Sequence, residues 1–503
     1  AVSAFDKPNV VLPLASSYNP RGIDGYATTI TAGKDQRKIN SIYQPVKNSM
    51  TGKTTLYLVK RPGVTVEASS FGASSNQNTY LISKGPQVNI PWVFYYDTTI
   101  TDTIYASNGS TATAILASPA PYIPTFVDLV PISGAETLVV QLTGPVPPQK
   151  VYFSTAIGTF TQITDGDFTS INHVGKMEFM DGYAFIQDNV GKIWNSDLNS
   201  LSNWTASSFI TRGVDPDSGI GGLARLGNQI ISFGAYTMEV FYNAGNATGS
   251  PLSRVNQLSA RVGIGHVNQN AGSNFTYYAT IKNKIFFIGT TQKGSYTTNI
   301  SKGFYSYNGS AVEKISSDSI DKILSATAIQ TIYSITFQGK QAIAITLSSF
   351  PGASSVLLIY FPEWKEWFEW TSSRFASAND GRFYIGTTTT PNKIYSFANT
   401  NTWQDNTTDY QWLHQFVLPT DGNQRKRMPY LGLKGDTATS AQNISVEFSD
   451  NDYATFSTPR NIDMTSKDKR LTRCGSFKGH RVVRLSHTGN TEVRLEAFLA
   501  RIE

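Results

Sequence analysis

The sequence has few of the residues that carry covalent or metal chemistry. It contains a single cysteine, Cys474, so no disulfide can form within the chain and stability must come from burial. Its five histidines are scattered, and no two of them form a His-x-x-x-His pair. We accordingly expect no metal site, no cofactor and no catalytic residue, and we interpret Cys474 as a buried or free thiol.

Charged residues and long apolar runs are also scarce. Asp, Glu, Lys and Arg make up 16% of the chain, below the usual share of about a quarter. The chain has no run of about 18 apolar residues, so we expect no membrane span. The first residues, AVSAFDKPNVV, lack the basic start and apolar core of a secretory signal, so we expect none. These features favour synthesis in a reducing cytoplasm.

Common catalytic and nucleotide-binding motifs are missing. The sequence has no Gly-x-x-x-x-Gly-Lys-Ser/Thr and no Gly-x-Ser-x-Gly, and Gly263-Ile264-Gly265 lacks the third glycine of a dinucleotide fingerprint. Two carboxylate pairs, Asp165-Gly166-Asp167 and Asp215-Pro216-Asp217, could contribute to a calcium site, but neither stretch supplies the other ligands of an EF-hand loop. We interpret both as turns whose carboxylates bond their own backbone.

Glycine and aromatic residues are abundant. The 40 glycines, 25 tyrosines and 28 phenylalanines stand among many small polar residues, which is typical of strands joined by tight turns. From about residue 151, apolar strands and turn pairs alternate with a period of roughly 40 residues, the length of a four-stranded propeller blade. The turn pairs are Asp181-Gly182, Gly227-Asn228, Lys282-Asn283, Asn308-Gly309, Gln338-Gly339 and Asp380-Gly381. We predict an all-β fold with a β-propeller of five to six blades, six being favoured.

The same pattern predicts the domain organisation. An N-terminal arm with a few strands occupies 1–75, the propeller occupies 76–404 with an irregular insertion around 98–150, and a C-terminal β-domain occupies 405–503. A short helix is predicted at 317–324. The candidate blades are 151–190, 191–217 joined to 218–245, 274–317, 330–372 and 374–403.

The stretch 193–245 is the most informative part of the chain. A strand that ends at Trp194 is followed by a polar turn that runs to Trp204. Three short strands then follow at 220–225, 229–233 and 237–242, separated by two to four turn residues. We interpret the stretch as parts of two neighbouring blades.

Basic residues are concentrated at the two chain ends. Residues 1–63 contain nine Lys/Arg against three Asp/Glu, whereas 64–404 contain 19 against 21. Such clusters bind phosphate or acidic protein surfaces, or form a solvated, salt-bridged surface, and both interpretations stay open here. Aromatic residues are not interleaved with them, so recognition of single strands is not expected. The candidate assembly or DNA-proximal residues are Arg37, Lys38, Arg61, Arg425, Lys426, Arg427, Lys467, Lys469, Arg470, Arg473, Lys478, Arg481 and Arg484.

Several short motifs in order resemble one protein family. They are Trp194-Asn195-Ser196-Asp197-Leu198 with Trp204, Asp215-Pro216-Asp217, Phe233-Gly234 with Met238-Glu239-Val240, Asn243-Ala244-Gly245, and Gly263-Ile264-Gly265. Near the N-terminus, Asn40 with Tyr43 and the turn Arg61-Pro62-Gly63 add to the pattern. Together they resemble the tail hub, or nozzle, proteins of short-tailed bacteriophages, also called packaged-DNA stabilisation proteins.

The resemblance implies a fold and a role. It implies a propeller joined to a β platform domain that is built from the N- and C-terminal segments. It further implies a non-enzymatic virion protein that forms a ring of six below the portal and adaptor, provides the DNA ejection channel and helps to retain packaged DNA. The implied partners are other copies of the chain, the portal and adaptor (head–tail connector) proteins, tail fibre or tailspike and tail needle proteins, and double-stranded DNA bound without sequence specificity. The implied location is the phage tail, after synthesis in the bacterial cytoplasm.

Two alternatives to a tail hub remain at this point. One is a carbohydrate-binding or glycan-cleaving propeller, such as a phage adhesin, because Ser196-Asp197 and Trp204 are similar to part of the sialidase Asp-box. In that box the tryptophan stands much closer to the aspartate, and a central glycine is present. The other alternative is a cellular propeller that serves as a scaffold for protein partners.

Overall fold

The fold is taken from a computed structural model of the chain. The structure describes residues 10–14, 37–47, 49, 51–69, 77–84, 91–97, 103–107, 112–116, 122–143, 149–155, 159–213, 221–264, 278–291, 301–348, 355–371, 375–377, 384–386, 393–397, 402–418, 424–451 and 454–503. They divide into two compact units. Unit 1 comprises Ala1–Thr65, Phe350–Ser372 and Phe397–Glu503, and unit 2 comprises Val66–Ser349 and Ser373–Ser396.

The strands at the start of the chain are short. They are β1 (Val10–Pro13), β2 (Arg37–Ile39), β3 (Ser41–Lys47), β4 (Thr54–Lys60) and β5 (Val64–Ser69). Strands β1 to β4 lie in unit 1, and β5 ends in unit 2.

Unit 2 then forms five antiparallel sheets of four consecutive strands each. Their strands are β6 (Gln77–Lys84), β7 (Pro91–Asp97), β8 (Thr103–Ser107) and β9 (Ala112–Leu116); β10 (Ile123–Ile132), β11 (Ala135–Thr143), β12 (Lys150–Ser154) and β13 (Thr161–Gln162); β14 (His173–Met180), β15 (Tyr183–Asp188), β16 (Lys192–Ser196) and β17 (Trp204–Thr211); β18 (Gly222–Leu226), β19 (Gln229–Phe233), β20 (Met238–Asn243) and β21 (Leu252–Arg254); β22 (Tyr278–Ile281), β23 (Lys284–Gly289), β24 (Gly303–Tyr307) and β25 (Val312–Lys314).

Two further sheet elements complete unit 2. Strands β26 (Ala328–Phe337) and β27 (Lys340–Ser348) form a hairpin. The next two strands along the chain, β28 (Ser355–Phe361) and β29 (Glu366–Trp370), belong to unit 1. Strands β30 (Phe375–Ser377), β31 (Tyr384–Gly386) and β32 (Lys393–Phe397) then form a sheet with β5 as its fourth strand. Within the described part of the chain, unit 2 thus contains seven consecutive sheet elements.

The seven elements close into a ring, which is the defining feature of a propeller. Strand β10 contacts β6, β18 contacts β14, β26 contacts β22, and β30 contacts both β26 and β6. Between the second and third elements, the Gln141 side chain donates to the Gly175 carbonyl at 3.3 Å and accepts from the Met177 amide at 2.7 Å. The all-β propeller fold is therefore confirmed. The predicted number of five to six blades is corrected to seven among the described residues, since the first two blades come from 77–162.

The expectation of an irregular insertion at 98–150 is not met. Strands β8 to β11 and the start of β12 occupy that stretch. Pro124 and Pro131 both lie on β10, which is an edge strand of its sheet, where a missing amide N–H leaves no ladder bond unmade. Both prolines are therefore compatible with an edge strand of the second blade.

The hairpin turns follow from the residues that the sequence places in them. Asp181-Gly182 and Gln338-Gly339 adopt positive φ at both positions (52° and 83°, 48° and 75°), as type I′ turns require. The turn pair Asp380-Gly381 and the carboxylates Asp215 and Asp217 lie outside the described residues. Helix α1 (Gly166–Thr169) and helix α2 (Asp318–Ala326) interrupt the strands, and α2 confirms the predicted helix at 317–324.

The core of unit 2 lies between neighbouring blades. Because each sheet packs against a blade on both faces, its central strands are apolar on both faces. The core between the second and third blades is formed by Val130, Ile132, Val139, Val151, Ile163, Phe168, Ile171, Met177, Phe179, Ala184, Ile186, Leu201 and Trp204. The core between the third and fourth blades is formed by Met180, Phe185, Ile193, Leu223, Ile230, Phe241 and Leu252.

Unit 1 joins strands from both chain ends. Its remaining strands are β33 (Gln404–Asp405), β34 (Thr408–Asp409), β35 (Gln411–Val417), β36 (Arg425–Arg427), β37 (Tyr430–Gly435), β38 (Asn443–Ser449), β39 (Arg460–Asp463), β40 (Arg470–Thr472), β41 (Ser476–Lys478), β42 (Val482–Thr488) and β43 (Arg494–Arg501). One sheet has the order β3-β4-β43-β37-β40, with β1 also paired to β43. Strands β28, β29, β2, β35, β42, β38 and β39 follow one another in a second sheet, while β33–β34 and β36–β41 form two-stranded pairs.

The two tryptophans of the 193–245 region differ in burial, so their replacement by alanine should lower the free energy of unfolding by different amounts. Trp204 is 5% exposed, packs on Phe168 with ring centroids 4.9 Å apart, and donates its indole N–H to the Leu201 carbonyl. Trp194 is half-buried, and its indole N–H donates to Asp188 at 3.0 Å. We expect Trp204→Ala to lower the free energy of unfolding by about 3–5 kcal/mol, and Trp194→Ala by about 1–2 kcal/mol. Urea unfolding measures both, and equal losses would contradict this packing.

Candidate functional site

A basic two-stranded ribbon in unit 1 is the candidate functional site. Strands β36 and β41 pair antiparallel, with Arg425 opposite Lys478 and Arg427 opposite Ser476. Since alternate residues of a strand share a face, these four side chains lie on one face of the ribbon. The pairing continues beyond the strands, because the Arg473 amide donates to the Pro429 carbonyl at 2.7 Å. We call Arg425, Arg427, Arg473 and Lys478 the basic ribbon; all four are exposed.

The other face of the ribbon is anchored in the core. Phe477 and Cys474 are each 4% exposed, and Met428 is fully buried. Arg481 lies beneath them, with its guanidinium 4.4 Å from the Phe477 ring centre, and it donates to both oxygens of Asp450 at 2.7 and 2.6 Å. Packing on one face therefore fixes the direction of the cations on the other.

Cys474 takes part in this anchoring and not in chemistry. Its thiol donates to the Leu471 carbonyl at 3.4 Å, and burial raises the pKa of the thiol. A raised thiol pKa and low exposure are typical of a structural cysteine.

Other candidate basic residues of the C-terminal segment differ in burial and in their partners. Lys469 is buried and donates to the Thr437 hydroxyl at 2.9 Å. Arg484 is half-buried above the Phe456 ring at 3.4 Å, and burial lowers the pKa of its guanidinium. Arg470 pairs with Asp468 at 2.5 Å. The structure leaves Lys467 exposed and Lys426 half-buried on strand β36.

The three N-terminal candidates are all in ion pairs inside unit 1. The Arg37 guanidinium binds both carboxylate oxygens of Glu369, with Nη2–Oε2 at 2.5 Å and Nε–Oε1 at 3.0 Å. The Lys38 ammonium lies 2.7 Å from Glu366 and 2.8 Å from the Tyr43 hydroxyl. These cations hold strand β2 to β29, so they do not present charge to solvent.

Arg61 is the centre of a buried polar network. Its guanidinium is fully buried and donates to both oxygens of Asp405 at 2.9 and 2.6 Å, to Asn40 Oδ1 at 2.9 Å and to the Thr371 carbonyl at 2.9 Å. The ring centre of Tyr410 lies 4.0 Å from it. Burial alone would lower the pKa of Arg61, but the Asp405 carboxylate outweighs burial and raises it.

The neighbours of Arg61 explain the rest of the N-terminal motif. Asn40 is buried with φ 53° and donates to the Gln411 carbonyl and the Thr371 hydroxyl. At position 63, a Cβ atom would lie 2.0 Å from the Gln404 carbonyl oxygen. Only glycine therefore fits after Pro62. Residues 40 and 61–63 therefore join segments that lie more than 300 positions away in sequence.

An acid–base cluster in unit 2 was not found from the sequence. Lys176 on β14 lies 2.7 Å from Asp128 on β10 and 3.8 Å from Glu178. The Tyr278 hydroxyl on β22 donates to Glu178 at 2.6 Å, and burial raises the pKa of both Glu178 and Tyr278. The cluster links the first strands of three blades. Lys176 and Glu178 are close in sequence, but Asp128 and Tyr278 lie 48 and 100 positions from the nearer of them, so no local sequence signal could have indicated the cluster.

The carboxylates of Asp165-Gly166-Asp167 bond the backbone, as the turn interpretation requires, although the local structure is helix α1. Asp165 accepts from the Asp167 and Phe168 amides at 2.9 and 3.2 Å, as a helix N-cap does. Asp167 accepts from the Ala206 amide at 3.0 Å, at the outer edge of β17.

In the part of the chain that the structure describes, no group of three or more His, Cys, Asp or Glu side chains could hold a metal ion. Among the described residues, no helix is long and apolar enough to cross a membrane.

Three solved structures match the chain only distantly. The Pan2 WD40 domain of Neurospora crassa has 9% identity and a TM-score of 0.41, with 68% of this chain and 96% of that chain covered. A chain of the mitotic checkpoint complex has 13% identity and a TM-score of 0.38, with 67% and 93% covered. An exo-β-1,3-galactanase from Phanerochaete chrysosporium has 9% identity and a TM-score of 0.28, with 88% and 100% covered. Likenesses this distant say nothing about function.

A family model gives the informative match. A comparison with curated proteins gave no match. Residues 146–352, about two fifths of the chain, match the model Phage_stabilise, described as Bacteriophage P22 Gp10, beta-propeller. The match contains all of the motifs between 194 and 265 and confirms the resemblance that they carry. Residues 146–352 are thus similar to the propeller of the phage DNA-stabilisation family, a family of phage structural proteins.

Proposed function

We propose that this chain is a structural protein of the phage tail that forms the hub, or nozzle, below the portal and adaptor. Six copies form a ring whose central channel passes the genome at ejection and helps to retain it beforehand. The observation that carries the proposal is the match of residues 146–352 to the phage DNA-stabilisation family. The protein acts as a structural channel for DNA that also helps to retain the packaged genome, not as an enzyme.

The architecture is suited to such a part. A closed ring of blades with apolar cores between them is rigid without disulfides. The Arg61 network ties the N-terminal strands of unit 1 to its C-terminal strands, so both chain ends contribute to one unit. Rings of identical subunits arise when a head-to-tail interface closes by rotation, and rigid units keep that rotation constant.

The proposed partners and location follow from this role. Neighbouring copies of the chain form the ring, the portal and adaptor proteins contact it from above, and tail fibre or tailspike and tail needle proteins attach to it. Double-stranded DNA passes through without sequence recognition. The protein is made in the bacterial cytoplasm and is built into the virion.

Measurement of particle mass tests the proposal directly. One chain weighs 55.1 kDa, so a ring of six should give a particle of roughly 330 kDa. We expect this species alone or on addition of portal–adaptor complexes, and we expect the chain in purified virions by mass spectrometry. A protein that stayed monomeric with every tail component, and that bound or cleaved a glycan, would support the carbohydrate-binding alternative instead.

A further inference from the structure

We propose that the basic ribbon is the surface of this chain that contacts the phosphates of double-stranded DNA. The inference rests on the proposed function, because a tail conduit presents DNA to the protein. It adds a defined contact site, made of Arg425, Arg427, Arg473 and Lys478. The ligand is the sugar–phosphate backbone, read without regard to base sequence.

The first reason concerns the ion pairs of the described residues. The backbone of Arg427 pairs with that of Glu503, but the Glu503 side chain bonds Arg501. Among the described residues, no carboxylate forms an ion pair with any of the ribbon's four cations, and the recorded side-chain partner of Arg425 is the Ser476 hydroxyl at 3.2 and 3.0 Å. Three other exposed or half-buried cations of unit 1 are paired with carboxylates. Lys434 lies 2.5 Å from Glu496, Arg494 lies 3.0 Å from Asp436, and Arg501 lies 2.7 Å from Glu503.

The second reason is geometric. Side chains two residues apart on a strand project on one face about 6.6 Å apart, so Arg425 and Arg427 present two cations in a row, with Lys478 on the opposite strand. Their separation is below the Debye length of about 8–10 Å, so their potentials add. Arginine also binds phosphate oxygens through two parallel N–H bonds. The ribbon is therefore a linear array of cationic hydrogen-bond donors for phosphate oxygens.

The third reason distinguishes DNA from a protein partner. The exposed face of the ribbon carries Ser476 between its cations, and the aromatic side chain of β41, Phe477, is buried on the other face. A stable protein interface needs an apolar core within about 800 Å² per partner. A phosphate backbone needs only cations and hydrogen-bond donors, and this face supplies both.

The salt dependence of DNA binding tests the proposal. Fluorescence anisotropy with a labelled 30-base-pair duplex of mixed sequence, titrated with the full chain between 50 and 200 mM salt, gives log K against log salt. Four phosphate contacts predict a slope of about −3.6. The variant R425Q/R427Q/R473N/K478Q should lose most of this slope and bind at least tenfold more weakly at 50 mM salt. Asparagine is chosen at 473 because Arg473 has φ 57°.

A matched control removes four cations from other exposed positions. Lys47, Lys53, Lys282 and Lys284 are exposed, and their replacement by Gln changes the net charge by the same amount. We expect this variant to bind DNA as the wild type does, and R425K/R427K/R473K to keep the wild-type slope. An unchanged Tm of each variant shows that folding is intact.

Three outcomes would overturn the inference. The ribbon variant could bind DNA like the wild type, or the control variant could lose as much affinity as the ribbon variant. The ribbon variant could also keep its DNA slope while failing to bind portal–adaptor complexes, which would make the ribbon a site for an acidic protein. None of these affects the mass of the ring or its presence in virions, so the proposed function is tested separately.

Discussion

Replacement of Arg61 by methionine is expected to lower the free energy of unfolding by about 3–5 kcal/mol, because it leaves the Asp405 carboxylate without its cation. The same change removes the donors to Asn40 and to the Thr371 carbonyl. Arg61 itself is fully buried, so water cannot replace these bonds. Urea unfolding followed by tryptophan fluorescence measures the loss, since Trp370 and Trp412 are fully buried in the same unit.

Two companion variants make the Arg61 result specific. Arg427→Met removes an exposed cation and should change stability by less than about 0.5 kcal/mol. The double variant R61M/D405L replaces the pair by apolar groups and should recover a large part of the loss. If R61M unfolded at the wild-type urea concentration, the ion pair would not be what holds the chain ends of unit 1 together.

The second large effect expected is a loss of stability in acid that comes from two buried histidines. Burial lowers the pKa of His173 and of His414 from 6.5 to about 3. Between these pKa values the unfolded chain binds more protons than the folded chain does. The free energy of unfolding therefore falls as the pH drops from about 6.5 towards 3. At pH 5 the expected loss is about 2 kcal/mol for each histidine relative to pH 8.

The two histidines can be separated because they lie in different units. His173 begins strand β14 of unit 2, and His414 lies on β35 of unit 1, stacked on Phe416 at 5.2 Å. We expect His173→Gln and His414→Gln each to remove about 2 kcal/mol of the loss between pH 8 and pH 5. Part of the pH dependence stays in both variants, because burial also lowers the pKa of His487. Profiles that stay parallel to the wild type would show that other groups govern the acid response.

Local sequence signals predicted the strands of unit 2 well. The predicted strand at 229–233 coincides with β19, and the predicted strands beside it differ from β18 and β20 by one or two residues. The reason is that alternation and turn pairs such as Asp181-Gly182 act within a few residues. The blade count was too low because 98–150 was interpreted as an irregular insertion, whereas β8 to β11 and the start of β12 lie there.

The fate of the basic residues could not be predicted from the sequence. Lys478 and Arg481 are three positions apart, yet one is exposed and the other is paired with Asp450 beneath the ribbon. Arg61 finds Asp405 across 344 positions. Burial of a charge depends on a partner brought close by the fold, and a run of Lys and Arg says nothing about where that partner is. The pairing that placed Arg425 opposite Lys478 is likewise a property of strand register.

The place of β5 in the propeller has a consequence for biosynthesis. Strand β5 is the fourth strand of the last blade, and its neighbour β32 lies roughly 330 residues later in the chain. At about 5–20 residues per second, a ribosome needs roughly 20–60 seconds to produce that stretch. During this time β5 is without its partner strand, and the ring cannot close. The last blade can therefore be completed only when almost four fifths of the chain has been made.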